Sequence, residues 1–251
     1  MEVKETSLEK PEVTYFEGIL YHGAKKELTF SKDFDYSDPN SSFDGSFTLG
    51  EGMYLTDNRE LAKSYSNVRQ HNSGQHLVYS AHAPNCKFLD FRGEHGNVPV
   101  EGQMLIDWER TYSDYLNKLE LEEPISEEEY EDVVINGRTR RKFNRALLER
   151  EDLRVYGKYL KALAVGNIKV DLRVMLGSAP GGDLPKNDSG YEGGDYAPPW
   201  SSLFRRFIIG QSYDGIIYNE EGEGKDDGNH PTYVVYKLEA IEFSTETIDS
   251  K

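Results

Sequence analysis

Cysteine is nearly absent: Cys86 is the only one in 251 residues. That excludes a disulfide within the chain and a zinc site built on cysteine pairs. The six histidines, at 22, 71, 76, 82, 95 and 230, form no His-x-x-x-His pair, and no metal site is expected from them. No apolar run is long enough to span a bilayer, so no membrane partner is expected. Residues 1 to 12 are charged and lack an apolar centre, unlike a signal peptide, which favours a cytoplasmic setting in a producing or target cell. Basic residues are also scarce. Lys and Arg number 29 against 45 Asp and Glu, a net charge of −16. Such a surface opposes non-specific nucleic-acid binding but leaves room for a local basic groove. The length suits one elaborated domain, or a domain with an insertion.

What is present centres on residues 19 to 65. Ile19-Leu20-Tyr21-His22-Gly23 reads as a buried strand ending in an imidazole and a glycine. Gly50-Glu51-Gly52-Met53-Tyr54-Leu55-Thr56-Asp57 reads as a glycine turn followed by a short strand carrying Tyr54. Asp57 and Glu60 have capping-box spacing before a helix over about residues 58 to 65, with Leu61 and Tyr65 sharing a face. A histidine and two tyrosines from neighbouring elements could converge in one cleft. Aromatic faces attract a cation, and an imidazole can hydrogen-bond a hydroxyl. A flat cationic ring attached to a sugar fits such a trio.

These two stretches resemble the first and second motifs of the ADP-ribosyltransferase fold, in the clade of diphtheria toxin and the poly(ADP-ribose) polymerases. The first motif there is a strand ending in Tyr-His-Gly or similar. The second is Gly-x-Gly-[Ile/Met]-Tyr-[Phe/Leu]-[Ala/Thr]-Asp with a further tyrosine eleven residues after the first, the spacing of Tyr54 and Tyr65. The carboxyl-terminal stretch extends the likeness. Tyr213-Asp214-Gly215-Ile216-Ile217-Tyr218, an acidic glycine loop, then Tyr233-Val234-Val235-Tyr236 resemble the third motif, especially as found in phage and mobile-element modules. The likeness covers roughly residues 15 to 92 and 201 to 243.

The resemblance implies an α+β fold: two packed small antiparallel sheets forming an NAD cleft, with a helical insertion. It implies NAD as substrate, held by Tyr21, His22, Gly23, Tyr54 and Tyr65. His22 would hydrogen-bond a ribose hydroxyl, the Gly23 backbone would hold the carboxamide, and the two tyrosines would flank the nicotinamide. Two positions depart from the pattern. Thr232 stands where the polymerases place their catalytic glutamate, and Ala62 stands where they place a serine. A threonine cannot supply negative charge. In the phage-like modules an Asn-Glu-x-Glu segment lies earlier in the loop, and Glu221 and Glu223 match it best, so they join His22 as the candidate catalytic residues. Without the polymerase glutamate, mono-ADP-ribosylation is expected rather than chain elongation. The acceptor would be a protein or a nucleic acid, and a neutralising antitoxin partner would suit a bacterial or phage toxin or effector. The competing readings are a silent NAD- or ADP-ribose-binding module and an NAD-using RNA phosphotransferase of the same fold.

The remaining sequence sets the layout. Residues 1 to 14 read as a polar arm, 15 to 243 as one domain and 244 to 251 as a tail. Residues 76 to 83 and 87 to 91 read as two strands parted by Pro84-Asn85. A helical insertion is expected over about 101 to 165. Met104, Trp108, Tyr112, Tyr115 and Leu119 recur at helical spacing. Ser126 and Glu129 have capping-box spacing for a second, acidic helix. Leu153, Tyr156, Leu160 and Leu163 form a further stripe. Arg138, Arg141, Lys142 and Arg145 form a basic run that would pair with the acidic segment at 120 to 132, face an acidic or nucleic-acid target, or contact a pyrophosphate. Residues 178 to 199, rich in glycine, read as a long loop. A short helix over 201 to 209 and two closing strands follow.

Overall fold

The computed structural model describes residues 11–24, 49, 52–67, 77–93, 96–122, 130–135, 138–143, 145–177, 200–220 and 230–244. The strands are β1 (Glu12–Ala24), β2 (Met53–Thr56), β3 (Leu77–Asp90), β4 (Arg92–Gly93), β5 (Gly96–Asn97), β6 (Tyr130–Ile135), β7 (Arg138–Phe143), β8 (Gly215–Glu220), β9 (His230–Val235) and β10 (Glu242–Phe243). The helices are α1 (Arg59–Asn67), α2 (Gly102–Glu122), α3 (Arg145–Gly166), α4 (Leu172–Gly177) and α5 (Trp200–Gly210). The class is α+β, as expected.

One six-stranded sheet carries the architecture, in the order β1-β2-β9-β8-β3-β10, and β1 also pairs with β3. Five strands therefore close on themselves. All their pairings are antiparallel except β3 with β8. Two separate packed sheets were expected; here a single sheet folds over itself through the long strands β1 and β3. The bend sits at a register shift between Phe16 and Gly18. Phe16 faces Cys86 and Gly18 faces Ala83, so Pro84 and Asn85 together oppose Glu17. The Pro84-Asn85 signal thus marks a bulge within one strand and not a break between two. A proline, with no N–H to donate, is tolerated at a bulge.

The strands alternate between two cores. Tyr233 and Val235 of β9 point into the ring with Leu20, Met53, Leu55, Phe88 and Ile217. Val234 and Tyr236 point the other way, with Ile216, Tyr218 and Leu89, and meet the helices. A strand buried on both faces reads as a continuous apolar run, and the Tyr-Val-Val-Tyr sequence does.

The helical core is one body with that outer sheet face. Trp108 and Tyr112 of α2 and Leu153, Tyr156, Leu160 and Leu163 of α3 are buried together, bearing out both apolar stripes. The Tyr156 hydroxyl accepts the Trp108 indole N–H at 3.2 Å and donates to the Met175 carbonyl at 2.8 Å. The Tyr156 ring stacks on Trp200 at 4.3 Å and 9°. The Trp200 indole donates to the Leu176 carbonyl at 2.6 Å. Three helices and α4 are thereby pinned by polar tips of otherwise apolar rings. The segment after α2 differs from expectation. Residues 130 to 135 form a strand paired with β7, not the end of an acidic helix. The proposed cap residues Ser126 and Glu129 lie outside the described residues.

Candidate functional site

The three stretches that carry the resemblance lie far apart in sequence and side by side in the sheet. β1 pairs with β2 at Tyr21 and Thr56, β2 pairs with β9 from Met53–Val235 to Thr56–Thr232, and β9 pairs with β8. One cross-sheet row therefore runs Tyr21, Thr56, Thr232, Tyr218. Paired residues in a ladder project to the same face.

His22 sits where β1 and β2 part. Its Nδ1 lies 2.8 Å from the Tyr54 carbonyl oxygen. A carbonyl only accepts, so Nδ1 carries the proton and Nε2 of the neutral ring is the accepting nitrogen. Burial lowers the His22 pKa below its ordinary value, against the raising effect of the bond to Tyr54. The imidazole thus ties the two strand ends together, and its burial disfavours the charged form.

Tyr54 is partly buried, packed against the helical core. Its hydroxyl accepts the Leu49 N–H at 2.8 Å. The Tyr236 hydroxyl donates to the Leu49 carbonyl. Tyr54 of β2 and Tyr236, just past the end of β9, therefore clamp the fully buried Leu49. Gly52 is required by packing, because a Cβ there would lie 2.6 Å from a Val234 methyl and 2.8 Å from the Tyr236 ring.

Tyr65 lies on α1 and is 46% exposed, so it is not a core tyrosine. The helix starts one residue later than the capping-box reading placed it. Asn58, not Asp57, is the cap, its Oδ1 accepting the Glu60 N–H at 3.0 Å and the Leu61 N–H at 3.2 Å. The face that α1 buries is Ala62 and Ser66, four residues apart, rather than Leu61 and Tyr65. Ala62 meets Gly23: a Cβ on Gly23 would stand 1.9 Å from the Ala62 carbonyl oxygen. Position 62 thus lies at a close backbone approach of α1 to β1. The His-Gly pair has a packing reason independent of any ligand.

Thr232 is 5% exposed, between Thr56 and Tyr218. The Tyr218 hydroxyl donates to Asp171 Oδ2 at 2.8 Å, and the Arg173 guanidinium lies 4.9 Å from the Tyr218 ring centroid. Burial first, then the Asp171 carboxylate, raise the Tyr218 pKa. Asp171 also caps α4, its Oδ1 accepting the Arg173 N–H at 2.8 Å. Nothing in the sequence pattern pointed to this cluster; only the register brings residues 171 and 218 together. Glu221 and Glu223 lie outside the described residues, as does His76.

Polar groups elsewhere read as structural. Asp90 is buried and takes the Arg92 guanidinium as a fork, at 2.9 and 2.6 Å, with the Thr14 hydroxyl at 2.9 Å. Burial alone would raise its carboxyl; the Arg92 and Thr14 bonds outweigh that and hold it below the ordinary carboxylate value. Asp214 accepts the Lys87 N–H at 2.8 Å and pairs with Lys237 at 3.2 Å, fixing the corner before β8. At Gly215 a Cβ would lie 2.0 Å from the Val234 carbonyl oxygen, so the Asp-Gly of the third motif is needed for the β8–β9 approach. Burial pushes the Cys86 thiol up to about 11, and its Sγ donates to the Ala240 carbonyl at 3.2 Å. That is a poor nucleophile. His82 is exposed, 3.9 Å from Glu242 at the edge of the sheet.

Among the described residues no group of three His, Cys, Asp or Glu side chains could hold a metal ion, and no helix is long and apolar enough to cross a membrane. Compared with known protein families, with curated proteins and with solved structures, the chain shows no match.

Proposed function

We propose that this chain is an NAD-dependent mono-ADP-ribosyltransferase acting as a toxin or effector. The observation that carries the reading is adjacency. Three stretches chosen by resemblance alone are neighbouring strands, with His22 bonded to the backbone of Tyr54 at 2.8 Å. By the resemblance, His22 would hydrogen-bond a ribose hydroxyl. Tyr54 and the half-exposed Tyr65 would flank the nicotinamide, with Tyr21 and the Gly23 backbone beside them.

In this reading the bond between ribose C1′ and the nicotinamide nitrogen breaks first. Its electron pair stays on nitrogen and neutralises the pyridinium, so the leaving group needs no proton. The ribose becomes oxocarbenium-like, as in glycoside hydrolysis. Glu221 or Glu223 would stabilise that cation. A lone pair of the protein or nucleic-acid acceptor then attacks C1′, and the acceptor proton passes to the same carboxylate.

One observation favours a second reading, a silent NAD- or ADP-ribose-binding module. Thr232 is buried in its row and leaves that position without a carboxylate. Glu221→Gln with Glu223→Gln separates the two. Loss of nicotinamide release with NAD binding retained supports catalysis. NAD binding without release in the unaltered chain supports the module.

A further inference from the structure

We propose that Tyr236 is a positioning residue for Tyr54, a role that rests on the NAD reading and sets, through Leu49, where the nicotinamide would stack. Tyr236 follows β9 directly and is fully buried. Its backbone and ring are each fixed by a neighbour. The N–H donates to the Asp214 carbonyl at 2.8 Å, and the carbonyl accepts the Arg205 Nε–H at 3.0 Å. The ring meets Phe204 of α5 edge-on, with centroids 6.4 Å apart. A side chain locked in this way can hold its neighbours in place.

The Tyr236 hydroxyl donates to the Leu49 carbonyl, and the Leu49 N–H donates to the Tyr54 hydroxyl at 2.8 Å. The Tyr54 carbonyl lies 2.8 Å from His22 Nδ1. A line of hydrogen bonds therefore runs from the helical core to the imidazole, through Tyr236, Leu49, Tyr54 and His22. Residue 54 is held at both its ring tip and its backbone. Its ring is only partly buried, so packing restrains it on one side and the bond to Leu49 adds direction. Gly52 leaves the space this needs, since a Cβ there would lie 2.8 Å from the Tyr236 ring. Without the Tyr236 hydroxyl, the Leu49 carbonyl loses this donor in a buried setting and the Leu49 backbone shifts to compensate. The Tyr54 tip moves with it. A small misplacement that begins far from the reacting atoms is enough to weaken the hold on a bound ring. A global loss of stability acts differently: it lowers the number of folded molecules and leaves the affinity of each one unchanged.

The test is NAD binding to the full chain by calorimetry, with nicotinamide release followed in parallel. Y236F should weaken NAD binding about tenfold and raise KM to match, with kcat within about threefold. Y156F removes a buried hydroxyl from the helical core, remote from this line, and should leave the dissociation constant within about twofold. Y54F/Y236F should bind about as weakly as Y54F alone, because both changes cut the same line. A further readout needs no variant. In the unaltered chain, saturating NAD should slow exchange of the Leu49 amide hydrogen about tenfold, since coupling between two sites is reciprocal. An unaltered chain that binds no NAD sinks the NAD reading, and the positioning role falls with it. NAD binding that Y236F leaves unchanged overturns the positioning role alone. So do full additivity of the Y54F and Y236F losses, an equal loss in Y156F, or a Leu49 amide indifferent to NAD.

Discussion

The Gly23 Cα lies so close to the Ala62 carbonyl that a methyl group on Gly23 would stand 1.9 Å from its oxygen. Strand and helix backbones touch here, and neither partner is a flexible side chain that could swing away. Gly23→Ala must push α1 off β1. Overpacking of this kind costs about 1–3 kcal/mol, more where backbone is the obstacle. Urea unfolding should show the loss. Gly215→Ala, blocked by the Val234 carbonyl at 2.0 Å, should destabilise similarly at the other end of the sheet.

The burial of His22 makes stability pH-dependent in a stated direction. The folded His22 pKa lies below its ordinary value of 6.5 because burial disfavours the imidazolium. The unfolded chain therefore binds a proton at a pH where the folded chain does not. The contribution is fully present above about 6.5 and is lost as pH falls from there toward the lowered folded value. His22→Gln should remove that slope, and the gap between the two unfolding curves should change between pH 7.5 and 5.5. Parallel curves over that range would contradict it. Asp90 acts in a separate, more acidic window. Its depressed carboxyl stabilises the fold above the unfolded carboxylate pKa, and the stability is lost as pH falls through the folded value.

Tyr156 offers a test of the helical core. Its hydroxyl bridges the Trp108 indole and the Met175 carbonyl, both in the buried interior. Tyr156→Phe keeps the stacking on Trp200 but leaves a donor and an acceptor unmet. The expected cost is about 1–3 kcal/mol, measurable by chemical denaturation with an unchanged m-value.

Thr232 is one of the two positions at which this chain departs from the pattern it resembles. Its side chain is buried between those of Thr56 and Tyr218. Restoring the polymerase residue, Thr232→Glu, places a carboxylate in that row without a cationic partner in register. The variant should be about 2 kcal/mol or more less stable and should not release nicotinamide faster. Faster release would assign the missing carboxylate to position 232 and not to the loop.

Much of the frame was legible because it rests on periodicity. Trp108, Tyr112, Leu153, Tyr156 and Leu160 announce their burial by helical spacing alone. The closing strand is readable from its apolar run. What escaped was set by pairing. Pro84 looks like a strand break in one dimension and is a bulge once β1 lies beside it. Ser126 and Glu129 have capping-box spacing for a helix, yet residues 130 to 135 pair with β7 as a strand. Asn58 rather than Asp57 caps α1, a one-residue choice that two adjacent capping side chains leave open. At the candidate site, His22 and Tyr54 were nameable from motifs. The Leu49 clamp and the Asp171–Tyr218 bond join residues 5, 187 and 47 positions apart, and no local pattern encodes them.

The most direct measurement is nicotinamide release and transfer of label from radiolabelled NAD, with and without a cell lysate. The unaltered chain is compared with His22→Gln and with Glu221→Gln/Glu223→Gln, each checked for folding. The account predicts release and label in protein or nucleic acid for the unaltered chain, reduced about a hundredfold or more when the loop glutamates are replaced. Folded protein that binds NAD yet releases no nicotinamide, with or without lysate, would contradict it.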